Sequence, residues 1–466
     1  MTVLWAALVG LSWVGAGFLM SSAYDAYLLE PTKFAVDTAY LDWDTVFPAV
    51  TICERRNKSR LTEYTKRWQI DLLLETLAYD SPSDLAPSFC RRASCPTDNF
   101  STIVAQIHRP CEELLSRCWW NGEPFACCQH APPLRTEVGS CFAINSAQTD
   151  GNESDRRKLT CNRTTGRGSL KVEVKTEVIM FVHPRDEVPH LTTTMARAVV
   201  PARGVRHLHM VRVREARFEP AVGRMGAARR GCRLPGELAD WPPALYPVYS
   251  RGACVASCRA HRLFQLCNCT PPLTPRLPAY YRVSVLINYA AACEVTVTAS
   301  QSIKDAGYPL DRYGEPAGDA VCGGVVSPGA EECDLAGLGC LRRSAGQWLR
   351  QAPRWAPPGR GLHCDCPLAC LDAEVDTVHQ RADSIASHTS FYELRLNQLP
   401  TERDFRFVAN DGLSLVVSIG GAAGLFAGAS LLSFVELPYY LCLRTRCCAA
   451  RHSRPPRPTG RMPFLP

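Results

Sequence analysis

Gly420-Gly421-Ala422-Ala423-Gly424-Leu425-Phe426-Ala427-Gly428-Ala429-Ser430-Leu431-Leu432-Ser433-Phe434-Val435-Glu436 lies near the C-terminal end of a 466-residue chain, and its reading decides what kind of protein this is. Glycine recurs every four residues, at 420, 424 and 428, so one helical face carries a stripe without side chains. Such a stripe lets helices approach closely, which is all that a simple membrane anchor would need. The Gly428-Ala429-Ser430 step argues for more. Small residues weaken a helix and bare its backbone carbonyls, a polar surface that persists within a membrane only where it lines water or protein. A cation path needs such oxygens, because they replace part of the hydration shell of the ion. Glu436 adds negative charge toward the end of the segment, although a lone interfacial Glu is equally compatible with an anchor.

Working outward, Gly412 to Val435 is a run of 24 residues without Asp, Glu, Lys or Arg, and Thr2 to Tyr24 is another of 23. As helices, at about 1.5 Å per residue, each reaches roughly 35 Å, against a hydrocarbon core of about 30 Å. The expected plan is a first transmembrane helix at 1–24, an extracellular region at 25–411, a second transmembrane helix carrying the pore at 412–443, and a basic, Pro-rich tail at 444–466. Six arginines, from Arg444 to Arg461, follow the second run with no acid among them, whereas Asp25 and Glu30 follow the first. By the positive-inside tendency both termini are expected in the cytosol, in a multi-pass protein of the plasma membrane. A cleaved signal peptide is the rival reading of the first run, but that run exceeds the usual h-region and has no basic n-region. Cys442, Cys447 and Cys448 sit at the expected cytosolic boundary, where S-acylation is common.

The net charge of +7 falls to 7 − 6 = +1 once the six tail arginines are set aside, so the basic excess reflects topology and no nucleic-acid partner is expected. Of 24 cysteines, 21 lie between Cys53 and Cys370, a region that also holds five N-x-S/T sequons, at Asn57, Asn99, Asn152, Asn162 and Asn268. Both point to an oxidised, glycosylated exterior. No His-Glu-x-x-His, Gly-x-Ser-x-Gly or phosphate loop is present, so neither an enzyme nor a cofactor is expected. Closely spaced cysteines such as Cys364 and Cys366 read as disulfide partners in that compartment, and no metal site is expected.

Within the middle region, Phe47 to Cys53 reads as a strand and Leu61 to Ala78 as a helix. The seven cysteines from Cys90 to Cys141 suggest bridges and turns in place of a hydrophobic core. Alternation at Leu170, Val172 and Val174 leads into the apolar Val178 to Val182, and a further strand is expected at Phe391 to Leu399; with the Phe47 strand these are expected to share one sheet. Cys254 and Cys258, four apart in Gly252 to Leu266, fall on one helical face. Residues 282–332 carry no clear period and read as an insertion.

Two segments together resemble the signatures of the epithelial sodium channel/degenerin family: Phe47-Pro48-Ala49-Val50-Thr51-Ile52-Cys53, and the 420–436 stretch. Tyr249-Ser250 followed by Cys254, Cys258, Cys267-Asn268-Cys269 and Pro271, then Cys364-Asp365-Cys366-Pro367 and Cys370, is similar to the family's thumb framework. Phe181-Val182-His183-Pro184 and Gly139 to Asn145 most resemble the insect pickpocket-type members. The resemblance covers nearly the whole chain apart from 282–332. It implies an α+β membrane protein, with two transmembrane helices flanking a disulfide-rich extracellular domain built of a palm β-sheet and a helical thumb. It further implies three subunits, identical or related, set in membrane lipid around one pore. The permeant ion would be Na+, conduction voltage-insensitive and amiloride-blocked, and the stimulus extracellular or mechanical.

Carried over by position, Gly428, Ala429 and Ser430 form the selectivity filter, Gly420, Gly421, Gly424 and Glu436 belong to the pore, and Val417 is the gate site at which degenerin mutations act. Four departures accompany the resemblance. The His-Gly gating pair that the family carries before its first span occurs nowhere in the sequence. Val417 stands where small residues are usual, Glu54 follows Cys53 where Asn is common, and the tail has no PPxY segment. Disulfide connectivity stays open at this level. A glycosylated Cys-rich receptor or adhesion protein without a pore is the competing class.

Overall fold

A computed structural model describes residues 2–39, 43–55, 59, 62–63, 99–149, 158–192, 195–238, 244–275, 332–353, 357, 361–428 and 430–440. Almost all of the expected 61–78 helix, Asn57, Asn152, residues 282–331, Ala429 and the tail with Cys442, Cys447 and Cys448 lie outside the described residues. The chain divides into two compact units, one of Met1–Ala35, Phe218–Arg230 and Arg406–Pro466, the other of Val36–Arg217 and Gly231–Phe405.

In chain order the elements begin with α1 (Thr2–Leu29), β1 (Thr32–Asp37), β2 (Thr45–Val46), β3 (Ala49–Glu54) and α2 (Phe100–Ile107). There follow β4 (Leu115–Trp120), β5 (Glu123–Phe125), β6 (Pro133–Thr136), β7 (Gly139–Ile144), β8 (Thr160–Cys161), β9 (Ser169–Val174), β10 (Val178–His183), β11 (Ala196–Val200), β12 (Val205–Arg214) and β13 (Ala216–Phe218). The series closes with α3 (Arg251–Cys267), α4 (Leu335–Arg343), β14 (Glu374–Ser384), β15 (Ser390–Leu396), β16 (Arg403–Val408), α5 (Gly412–Ala427) and α6 (Leu431–Pro438).

Two sheets organise the larger unit, a five-stranded one in the order β11-β10-β3-β7-β6 and a six-stranded one in the order β14-β12-β15-β9-β4-β5. This corrects the expectation of a single sheet. β3 pairs with β10, Thr51 opposite Phe181, whereas β9 and β15 pair with each other in the second sheet, Leu394 opposite Leu170. The switch falls between Val174 and Val178. Before it the pattern alternates, with Leu170 and Val172 fully buried while Lys171 sits on the other face; after it the run is buried throughout its length apart from Ile179. A strand buried on both faces needs cover that a half-exposed strand does not, so the two runs belong in different surroundings.

Residues 99–141 also depart from expectation. They form α2 and β4 to β7, and Leu114, Leu115, Cys118 and Trp120 join Phe47, Val50, Ile52, Val172, Tyr392 and Leu394 in one core. The half-cystines add to this core rather than replacing it. Gly168 is demanded by its place: it has φ +75°, and a Cβ there would lie 2.4 Å from Cys161 Sγ and 2.9 Å from both Phe47 and Trp120.

The helical part of this unit is set by its caps. Ser250 Oγ accepts from the Ala253 N–H to open α3, and Asn268 in the left-handed region closes it. Asp334 opens α4 by accepting from the Gly337 N–H. Cys254 and Cys258, on one face of α3 as their spacing predicts, bridge to Cys366 and Cys364. Cys267 pairs with Cys340, Cys269 with Cys333 and Cys232 with Cys370, while Cys53–Cys141, Cys111–Cys128 and Cys118–Cys127 bridge the β-rich part. Among the described residues Cys161 alone is free; it is buried, and burial pushes its thiol up to about 12.

Arg259, fully buried on α3, ion-pairs with Glu137 in the β6–β7 turn and donates from Nε to the Trp348 carbonyl and from Nη2 to Thr192 Oγ1, each at 3.2 Å. Removing one member strands the other charge in a dry interior. Glu137→Ala is therefore expected to cost about 3–5 kcal/mol of stability, read as a lower midpoint in thermal unfolding, whereas the same change at exposed Glu123 should leave the midpoint in place.

Candidate ion pathway

The second apolar run does not form one helix. Asp411 Oδ1 accepts from the Ser414 N–H at 2.7 Å and so caps the start of α5. The helix runs to Ala427 and stops, because Gly428 adopts the left-handed conformation, φ 61° and ψ 15°, and turns its N–H back to the carbonyls of Ala423 and Gly424. Ser430 is extended and opens α6: its Oγ accepts from the Ser433 N–H at 3.4 Å, while Ser433 Oγ accepts from the Ser430 N–H at 3.2 Å. These are the reciprocal bonds of a capping box. The described part of the expected 412–443 span is thus two helices, the first ending after Ala427 at the weak point expected from its small residues. At 16 residues, α5 is about 24 Å long and shorter than the hydrocarbon core. Among the described residues α1 alone is long and apolar enough to cross a membrane unaided.

A break of this kind leaves the last carbonyls of α5 without intrahelical partners. That of Phe426 accepts from Ser12 Oγ on α1. The two helices pack along small residues: Ala16 on α1 and Ala422 and Ala423 on α5 are buried, and Gly15 lies against the Phe426 ring, where a Cβ would come within 2.7 Å of Cε1. At 3.6 residues per turn, Leu415, Ile419, Ala422, Ala423 and Phe426 share the face turned to α1. Leu413, Val417, Gly420, Gly421, Gly424 and Gly428 share the opposite one, and all six are exposed. The gate and glycine positions named from the sequence therefore fall on a single face of α5 that α1 leaves open, with nothing within 4 Å of a Cβ added at Gly420 or Gly421. Glu436 is exposed on α6. Most of the large apolar side chains of α1 are bare as well, among them Leu4, Trp5, Leu11, Trp13, Val14 and Phe18.

The remaining sequence-named residues lie elsewhere. Phe47, Ala49, Val50 and Thr51 are fully buried, Thr51 Oγ1 bonds His183 Nε2 at 2.7 Å, and Cys53 bridges to Cys141, so this motif builds the core of the larger unit. Pro48 precedes β3 and lines a cavity between β2 and the end of β12. Cys254, Cys258, Cys267, Cys269, Cys364, Cys366 and Cys370 are all bridged. Asn99 and Asn268 are exposed at helix ends, and half-buried Asn162 donates from Nδ2 to Asp44 Oδ1 at 2.8 Å. Ser12, Gly15 and Ala16 were not singled out in the sequence. Their signal was present as three small residues within one turn and a half of an otherwise bulky run.

A long apolar helix near one end, a broken apolar segment near the other and a disulfide-rich extracellular domain between them define a membrane ion-channel subunit. The family model described as "Amiloride-sensitive sodium channel" matches residues 1–307 and 320–440, and the chain belongs to that family. Its members are channels and the protein is not an enzyme. The unmatched residues 308–319 lie within the expected insertion. A structural comparison matches a proton-activated chloride channel solved by cryo-EM, at 7% identity over 94% of this chain and 98% of that chain, with a TM-score of 0.27. Comparison with curated proteins finds no match.

The close approach at Gly15 has a direct consequence. Gly15→Leu is expected to force the Phe426 ring aside, lowering the thermal midpoint and the yield of protein at the cell surface, and Phe426→Ala in the same chain should restore part of the loss. A Gly15→Leu protein as stable as the parent would show that the two helices do not rely on this contact.

Proposed function

We propose that the protein is a subunit of an amiloride-sensitive, voltage-insensitive channel that passes Na+ across the plasma membrane and opens on an extracellular or mechanical stimulus. The observation that carries this reading is the interruption at Gly428 to Ser430, where one helix ends in a left-handed glycine and the next begins at a serine cap. Backbone oxygens released there suit a partly dehydrated cation, and a ring of them requires more than one subunit. A homo- or hetero-trimer with related subunits supplies that ring, with Val417, Gly420, Gly421 and Gly424 on the pore side of α5 and the exposed apolar surface of α1 against lipid. Both termini are cytosolic in this reading, and Asn57, Asn99, Asn152, Asn162 and Asn268 are glycosylated on the outside. The pickpocket-type subfamily is the favoured placement, on Phe181 to Pro184 and Gly139 to Asn145.

Selectivity at such a ring depends on oxygen spacing, and Ser430 both belongs to it and starts α6. Ser430→Leu is expected to weaken the preference for sodium over potassium or to stop conduction, with surface delivery unchanged. Ser433→Leu, which loses only the returning capping bond, should have the smaller effect. Reversal potentials in the two cations, with surface biotinylation as control, decide this, and a conducting Ser430→Leu channel with unaltered selectivity would remove the filter assignment.

Bulk at the Val417 position opposes closure if this face lines the pore. Val417→Gly should then lower basal current without changing ion preference, measured in oocytes at matched surface expression. Equal basal currents would mean that the closed packing already accommodates Val.

A further inference from the structure

The core-averted face of the six-stranded sheet carries a cleft of about 650 Å³, well removed in sequence from the broken span and lined by Trp119, Asn121, Arg167, Ser169, Lys171 and Arg395 among others. Its volume falls within the range of small-molecule sites. The chemistry of the cleft follows from which charges on this face are already satisfied. Glu173 is occupied on both oxygens: Arg117 Nε donates to Oε2 at 2.8 Å and Thr389 Oγ1 to Oε1 at 2.7 Å. Glu393 is occupied on both as well, by Arg206 Nη2 on Oε2 at 3.0 Å and by Arg395 Nε and Ser169 Oγ on Oε1 at 2.6 and 3.2 Å. Burial alone would raise the Glu393 carboxyl, but the bonds from Arg206 and Arg395 hold it below the usual carboxylate range, so it is a committed anion.

Two cations are left over at the cleft. Lys171 stands opposite Glu393 in register, yet its ammonium lies over the rings of Trp119 and Phe391, 4.9 and 4.4 Å from their centroids. Among the described residues no carboxylate pairs with it. Arg167 spends one Nη1 bond on the Asn397 carbonyl at 2.9 Å and likewise meets no acid. Arg117, already paired with Glu173, packs its guanidinium on the Trp119 ring at 5.4 Å and helps fix the indole. Aromatic faces hold a cation in place without neutralising it. The surplus is therefore positive, preorganised and bordered by an indole.

We propose that this cleft binds a small organic carboxylate, its charged end between Lys171 and Arg167 and its apolar body on Trp119. An Arg or Lys facing a carboxylate makes a charge-assisted bond, stronger than a neutral one. The flat indole wall favours a ligand with an aromatic or extended apolar body over a bare inorganic anion. The site rests on the sheet and not on the ion pathway, so it stands or falls independently of the sodium-channel reading.

The test is calorimetric titration of the full-length protein in detergent micelles at fixed low chloride, with benzoate as the probe and benzyl alcohol as its uncharged counterpart. Saturable benzoate binding is expected, with no heat from benzyl alcohol. The affinity should fall about tenfold or more in Lys171→Met and in Arg167→Gln, the scale of one charged hydrogen bond, and should be largely kept in Lys171→Arg. Thermal midpoints equal to the parent's qualify each variant. If Lys171→Met does not fold, Arg167→Gln and Lys171→Arg carry the comparison. Absence of saturable benzoate binding by the parent protein overturns the proposal, as does equal binding by the folded charge-removing variants or equal binding of benzyl alcohol.

Discussion

In hydrocarbon, every backbone N–H and C=O has to find its partner within the protein, and the organisation of this chain's two apolar segments is read from how that rule is met. α1 meets it with 28 residues of uninterrupted helix. The second segment meets it only as far as Ala427. There Gly428 returns its N–H to Ala423 and Gly424, Ser12 of α1 covers the Phe426 carbonyl, and Ser430 and Ser433 exchange bonds to start again. Each of these repairs is a local polar contact that plain lipid does not provide. A break so thoroughly capped is a stable feature of the backbone.

The same two helices show how packing sorts a run of small residues. Ala422 and Ala423 go to α1, whereas Gly420, Gly421 and Gly424 face away. Alanine keeps a methyl to bury against a neighbour, while glycine contributes only backbone, so a face of glycines is of more use toward a second copy or a water-filled axis than toward a partner already in contact.

The larger unit is held by different means. Two sheets share one core, and α3 is stapled to a distant part of the chain by Cys254–Cys366 and Cys258–Cys364, whose partners are 112 and 106 residues apart. Closing a loop of that length removes about 4–5 kcal/mol of unfolded-state freedom on the chain-entropy account, and the second bridge, nested in the first, adds less. The buried Arg259–Glu137 pair is of another kind: Arg259 is tied further to Trp348 and Thr192, and the pair specifies one seating for α3. Such a pair constrains geometry more than it adds stability.

What the sequence determined by itself was whatever depends on neighbours along the chain. The long apolar runs, the glycine spacing, the shared face of Cys254 and Cys258 and the weak point at Gly428 to Ser430 are all readable within a few residues, because helix geometry and solvation act at that range. Tertiary structure alone decided the rest. The change from alternation to an unbroken apolar run in Gly168 to His183 marks two surroundings but does not name the strands each will pair with, since that choice rests on what the rest of the chain brings beside them. The pairing of cysteines was equally hidden, as a bridge between residues more than a hundred positions apart depends on where α3 comes to lie. Ser12, Gly15 and Ala16 acquired meaning only once Phe426 stood against them. The positive cleft at Lys171 could not be read at all, because its excess charge appears only after Arg206 and Arg395 have taken Glu393 and Arg117 has taken Glu173.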